Sequence, residues 1–227
     1  MKKILTTIAA SLFAFGAYAN DIYVTQSGDA LDLDITQDGQ NNTVGASGTA
    51  SASTGSTTIL DIDQVGGSNV LTYQVNGVTF TGTFNVTGDS NDIDFNCDST
   101  NGNSSCGTVT ASITMVGDSN DIDLDIGETS DASNSTATIT SAGSDDSNVI
   151  AATIDGTSAI LTITVDGSTN NWLVDIDGNG DINGHTLIHS HTGGIADVDI
   201  VQSGVYDNYI SLTTSGDNAD IDISQTD

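Results

Sequence analysis

Apolar and polar residues alternate with a period of two along most of this chain. Asn91, Ile93 and Phe95 fall on one side of an extended segment, and Asp92 and Asp94 on the other. Asn120, Ile122, Leu124 and Ile126 repeat the pattern against Asp121, Asp123 and Asp125. Ile221 and Ile223 against Asp220 and Asp222 repeat it again. This predicts short β-strands with aliphatic side chains turned in and carboxylates turned out.

The segments recur. Phe84-Asn-Val-Thr-Gly88-Asp-Ser-Asn-Asp-Ile-Asp-Phe95 aligns with Ile113-Thr-Met-Val-Gly117-Asp-Ser-Asn-Asp-Ile-Asp-Leu124. Glycines set the period: Gly66, Gly77 and Gly88 are 11 apart, as are Gly156, Gly167 and Gly178. From Gly88 to Gly117 the step is 29, and a polar insertion lies between them. A unit this short fits one strand and one tight turn, with glycine allowing a turn at positive φ. Two units make a strand–turn–strand coil of about 22 residues. One coil cannot bury its own apolar face, so coils must stack at the ~4.8 Å strand spacing. The expected fold is all-β: a β-solenoid of roughly eight or nine coils. The Gly/Ala/Ser/Thr-rich stretch from Thr43 to Thr58 reads as a degenerate coil or a mobile loop.

Composition sharpens this. The chain has no proline, where average usage of about 5% predicts roughly eleven. That fits a fold in which nearly every backbone N–H donates to a ladder. Of its 227 residues 31 are acidic and 2 basic. The basic pair, Lys2 and Lys3, opens Met1–Ala19, which has an apolar stretch and an Ala17-Tyr18-Ala19 end. This is the pattern of a bacterial secretory signal peptide, too short in its apolar run for a membrane span. Residues 20–227 then form one exported solenoid domain with no cationic side chain. Nucleic acid is excluded as a charge-driven partner, as is docking on anionic lipid through basic residues. No membrane insertion is expected once the leader is removed.

Cys97 and Cys106 bracket a polar stretch. Export predicts that they close it as a disulfide, stapling an insertion at 97–106; a metal pair is the alternative.

Two units carry the complete pattern Gln-x-Gly-x-x-Asn: Gln37-Asp-Gly39-Gln-Asn-Asn42 and Gln64-Val-Gly66-Gly-Ser-Asn69. Gln26 and Gln202 keep its left half; Asn91, Asn120 and Asn170 keep its right half. The pattern resembles the curlin repeat of curli fibre subunits, secreted bacterial proteins that polymerise into functional amyloid in biofilm matrix. The resemblance implies amide ladders along the stacking axis from Gln26, Gln37, Gln64, Gln202, Asn42, Asn69, Asn91, Asn120 and Asn170. Val75, Val86, Met115, Val165 and Ile176 stand where the family places glutamine.

Other chemistry is sparse. Asp175, Asp177, Asn179 and Asp181 fit positions 1, 3, 5 and 7 of an EF-hand-type calcium loop, but position 12 is Thr186, so the bidentate ligand is missing. Another repeat unit is the ordinary reading. His185, His189 and His191 share one side of an extended segment; they suit zinc or copper, or simply a partly solvated turn. Thr-x-Thr steps at Thr108/Thr110, Thr138/Thr140 and Thr162/Thr164 suggest an ice-binding array, but the steps are irregular and threonine is common in strands. No catalytic motif is present, so an enzyme is not expected. No cofactor is required, and calcium is the ion most in keeping with the acidic composition. The expected function is self-assembly through strand edges as a curli-like fibre subunit or accessory, partnered by itself or a related subunit. A monomeric, calcium-stabilised surface adhesin is the alternative.

Overall fold

The computed structural model describes residues 20–45, 50–97, 106–127, 132–143, 147–177, 185–204 and 208–226. Residues 1–19, read as a signal peptide from sequence, and the polar stretch between the cysteines lie outside these residues. The described residues form strands without helices, in parallel register throughout.

The first strands are β1 (Asn20–Ile22), β2 (Thr25–Ser27), β3 (Ala30–Asp38) and β4 (Asn41–Val44). Two long strands follow, β5 (Ser51–Val65) and β6 (Ser68–Thr87). Next come β7 (Ser90–Cys97), β8 (Thr108–Val116), β9 (Ser119–Ile126), β10 (Asn134–Ala142) and β11 (Ser147–Asp155). The series ends with β12 (Ala159–Asp177), β13 (Thr186–Ser203), β14 (Tyr209–Ser215) and β15 (Ala219–Thr226).

These strands wind into a β-solenoid of about seven turns. One stack runs β1, β4, the first half of β6, β7, β9, β11, the second halves of β12 and β13, then β15. The other runs β3, β5, the second half of β6, β8, β10, the first halves of β12 and β13, then β14. Successive coils take 27, 22, 29, 28 and 22 residues between equivalent asparagines. The 22-residue unit therefore holds where nothing is inserted. Insertions lengthen the other coils, and the turns are fewer than simple division predicts.

At Gly66 and Gly88 glycine is required by space rather than by dihedral angle. A Cβ at Gly66 would lie 2.6 Å from the Gly39 carbonyl oxygen, and one at Gly88 would collide with the Gly66 carbonyl. Neither has a positive φ, whereas Gly45, Gly117, Gly127 and Gly193 do, so the expectation of positive φ holds at some turns and not at these two. The period marks where one turn rests directly on another.

Inward residues of both stacks form one core. Phe80, Phe84 and Phe95 cluster with centroids 4.8 to 6.4 Å apart. Gly82 leaves room for the Phe80 and Phe84 rings, and small Ala111 lies beside it in the next coil. Over its described part the Thr43–Thr58 stretch forms the end of β4 and the start of β5, with Ser51 and Ser53 buried against the larger Tyr73 and Val75 of the next coil. Large and small side chains thus alternate along the axis, which is how stacked coils fill a core without voids.

The two outer faces differ. On the first stack Asp92 and Asp94 pair in register with Asp121 and Asp123, and Asp197 and Asp199 with Asp220 and Asp222. On the second, Thr138 and Thr140 of β10 lie between Ser112 and Thr114 of β8 and Thr162 and Thr164 of β12.

Candidate functional site

The interior carries a continuous line of amides. Asn42 Nδ2 donates to Asn69 Oδ1 at 3.1 Å, Asn69 to Asn91 at 2.8 Å, and Asn91 to Asn120 at 2.8 Å. Asn120 donates to Asn148 at 2.9 Å, and Asn148 to Asn170 at 2.8 Å. All six are buried. The second amide hydrogen is used as well: Asn69 Nδ2 donates to the Thr87 carbonyl and Asn91 Nδ2 to the Val116 carbonyl. Each rung therefore ties its neighbour to the turn of a third element. Buried amides satisfied in this way specify register, because a slip of one residue would orphan them all.

Asn148 is a ladder member that the Gln-x-Gly-x-x-Asn pattern does not mark. At the other rungs asparagine follows glycine by three residues, but Gly143 precedes Asn148 by five. The Ser-Asn dipeptide shared by Asn69, Asn91, Asn120 and Asn148 is the signal that would have found it. Past Asn170 the line passes to His191, whose Nε2 lies 2.9 Å from Asn170 Nδ2.

Glutamines occupy the ends. Gln64 Nε2 donates to Gln37 Oε1 at 2.8 Å near the first coil, and Gln225 Nε2 to Gln202 Oε1 at 3.2 Å in the last. Gln26 has no glutamine beside it. Its register partner is Ser53, and its Oε1 is buried without a hydrogen bond. Between the ends the equivalent positions are apolar: Val86, Met115 and Val165 continue the Gln37/Gln64 column, interrupted by Ser141. Gln26, Val75, Ile176, Gln202 and Gln225 belong to a second column.

The histidines are buried, which corrects the reading of a partly solvated turn. His189 and His191 place their rings 4.6 and 5.0 Å from Trp172, edge-on. His185 Nδ1 accepts the Ala159 N–H at 3.0 Å. Burial, and then the neighbouring His191, push His189 down to about 4. Burial also lowers His185 and His191.

Asp175 and Asp177 stand on β12, and Asp177 Oδ1 accepts a 2.7 Å hydrogen bond from Ser203. Asn179 and Asp181 lie outside the described residues. Among the described residues no group of three or more His, Cys, Asp or Glu side chains is placed to hold a metal ion. Burial and the facing carboxylates Asp121, Asp94 and Asp123 raise Asp92 above the usual carboxylate range. Asp94 and Asp121 are raised by burial and by Asp123.

Cys97 and Cys106 form a disulfide, with Cα atoms 5.7 Å apart and both residues buried. Among the described residues no helix is long and apolar enough to cross a membrane.

Among the described residues nothing covers either end of the stack. At one end β14 and β15 each pair with β13 alone among the described strands. Ile210 and Ile221, inward in register, are half-buried, and Ile223 is 48% exposed. At the other end Ile22, Val24, Leu31 and Leu33 are likewise half-buried, and among the described strands β1 pairs with β4 alone. No family model, curated protein or solved structure matches the chain.

Proposed function

We propose that this is a secreted structural protein, akin to a curli fibre subunit or accessory, that assembles by adding copies at its terminal coils. The observation that carries this reading is that, among the described residues, neither end is capped. Each exposes a row of unpaired strand groups and a cross-section of half-buried aliphatic side chains. Such edges are templates for another strand.

The two ends also correspond. Gln26 and Gln225 fall in the same interior column, as do Ile22 with Ile221 and Val24 with Ile223. Both Gln225 Nε2 hydrogens are committed, to Gln202 Oε1 and the Asn208 carbonyl. Its Oε1 is the acceptor that Gln26 Nε2 of a following copy would meet. The joint extends the glutamine column by one rung and covers the aliphatic side chains of both ends. Head-to-tail addition does not close on itself, so it yields fibres.

The aspartate columns oppose this by like-charge repulsion between copies and keep the free chain soluble. Thioflavin fluorescence and fibre diffraction of the purified chain, with and without calcium, test the reading. Fibres with a strand-spacing reflection support it; a monomeric, dye-silent protein at high concentration overturns it. The paired Asp92/Asp121 and Asp94/Asp123 carboxylates favour a second reading, a monomeric surface adhesin stabilised by calcium. Calcium-dependent melting without fibres would select it.

A further inference from the structure

The threonine face of the second stack is a site in its own right. In sequence its steps are irregular: positions 85, 114, 140 and 164 differ by 29, 26 and 24. In the fold the irregularity disappears, because insertions leave the strands at other points and return each strand to register. Asn85, Thr114, Thr140 and Thr164 stand in one column, and Thr83, Ser112, Thr138 and Thr162 in the next. A third column carries Thr81, Thr110 and Thr136. These side chains all point outward, flanked on each strand by buried neighbours.

The result is a grid. Its period is ~4.8 Å along the axis and roughly 6.6 Å along each strand. Of the twelve positions that these columns occupy on β6, β8, β10 and β12, nine are threonine, Ser112 and Asn85 are polar, and exposed Ile160 completes the third column. None of these twelve is ionisable in a chain of net charge −29, and Asp61 and Asp63 of β5 bound the columns on one side. The stacked carboxylates of β7 and β9 lie on the other stack. β-Branched threonine has few rotamers in a strand, so methyl and hydroxyl positions repeat with the backbone. The amide ladder inside holds the coil spacing that the grid depends on.

A matching ligand must repeat in two directions on this scale and offer hydrogen bonds without charge. It must also need no aromatic platform, since none stands in these columns. Crystalline water has these properties. We infer that the β6–β8–β10–β12 face binds ice: threonine methyl groups order the water layer between them, and the hydroxyls anchor it to the lattice.

The test is thermal hysteresis and ice-recrystallisation inhibition by the purified full chain with its disulfide intact. The inference expects faceted ice and arrested grain growth. It expects Thr138→Tyr, which raises a ring from the centre of the grid, to lose most of both effects. Asp123→Tyr on the opposite stack should keep them. Circular dichroism melting establishes that each variant is folded, and Thr110→Tyr replaces Thr138→Tyr if the latter fails to fold. A wild-type chain that neither shapes ice nor arrests recrystallisation overturns the inference. So does full activity in a folded Tyr variant. If the Tyr variants instead disperse side-by-side pairs of an ice-inactive wild type in sedimentation, the face belongs to self-association and the ice site is refuted. None of these readouts depends on fibre growth at the ends.

Discussion

Asn91 and Asn120 are 29 residues apart in sequence, yet their buried amides meet at 2.8 Å, as close as pairs separated by 22. The coil between them contains the disulfide and an insertion, and the ladder passes it without a break. Removing one member orphans a donor on one side and an acceptor on the other. Asn91→Leu or Asn120→Leu should therefore lower stability by about 1–3 kcal/mol for each orphaned group. Exposed Asn85→Ala should stay within about 0.5 kcal/mol of wild type. Urea melts followed by circular dichroism check both. A neutral Asn91→Leu would show that the ladder does not hold the coils in register.

The staple gives a second expectation. Cys97 and Cys106 are buried and close a short loop. The chain-entropy model sets its contribution at about 2–3 kcal/mol. Reduction, or the double substitution Cys97→Ala and Cys106→Ala, should lower the urea midpoint accordingly without abolishing the fold, because β7 and β8 are each paired on both sides. Complete unfolding on reduction would contradict this.

Much of the fold was legible because glycine and alternation report local facts. A turn that rests on another turn needs glycine, and a half-buried strand alternates. Asn42, Asn69, Asn91, Asn120 and Asn170 could be read from their fixed distance to glycine. Asn148 could not, because its turn is two residues longer. The histidines were misjudged for a different reason. Their shared parity correctly placed them on one side of a strand, but nothing local says that Trp172, from the other stack, fills the space against them. The threonine grid was hidden in the same way, since only register across insertions reveals it.

Acid should act through those histidines. His189 is held neutral, its value depressed from 6.5 to about 4. Below 6.5 the unfolded chain binds a proton that the folded chain refuses. Its stability contribution is present above pH 6.5 and is lost as pH falls towards 4, by an amount on the order of 3 kcal/mol. The raised Asp92, Asp94 and Asp121 have the opposite sign: protonation relieves their repulsion and stabilises the fold as pH falls through their raised values towards 3.8. Melting midpoints between pH 7 and 4.5 should therefore drop, and His189→Leu should flatten the drop. An unchanged slope in His189→Leu would assign the acid sensitivity elsewhere.

The carboxylate columns supply a separate lever. Asp94→Asn with Asp123→Asn removes two facing charges from adjacent coils. The double variant should melt higher than wild type, and added salt should narrow the gap, since salt screens the same repulsion. Equal melting temperatures at low salt would show that the columns carry little strain.

Cryo-electron microscopy of the assembled protein tests the account most directly. The prediction is a polar filament in which β14 of one copy pairs in parallel with β3 of the next and β15 with β1 and β2, with Gln225 against Gln26 and the ~4.8 Å strand spacing continuing through the joint. Particles that remain single solenoids at high concentration, or filaments joined through any other surface, would contradict it.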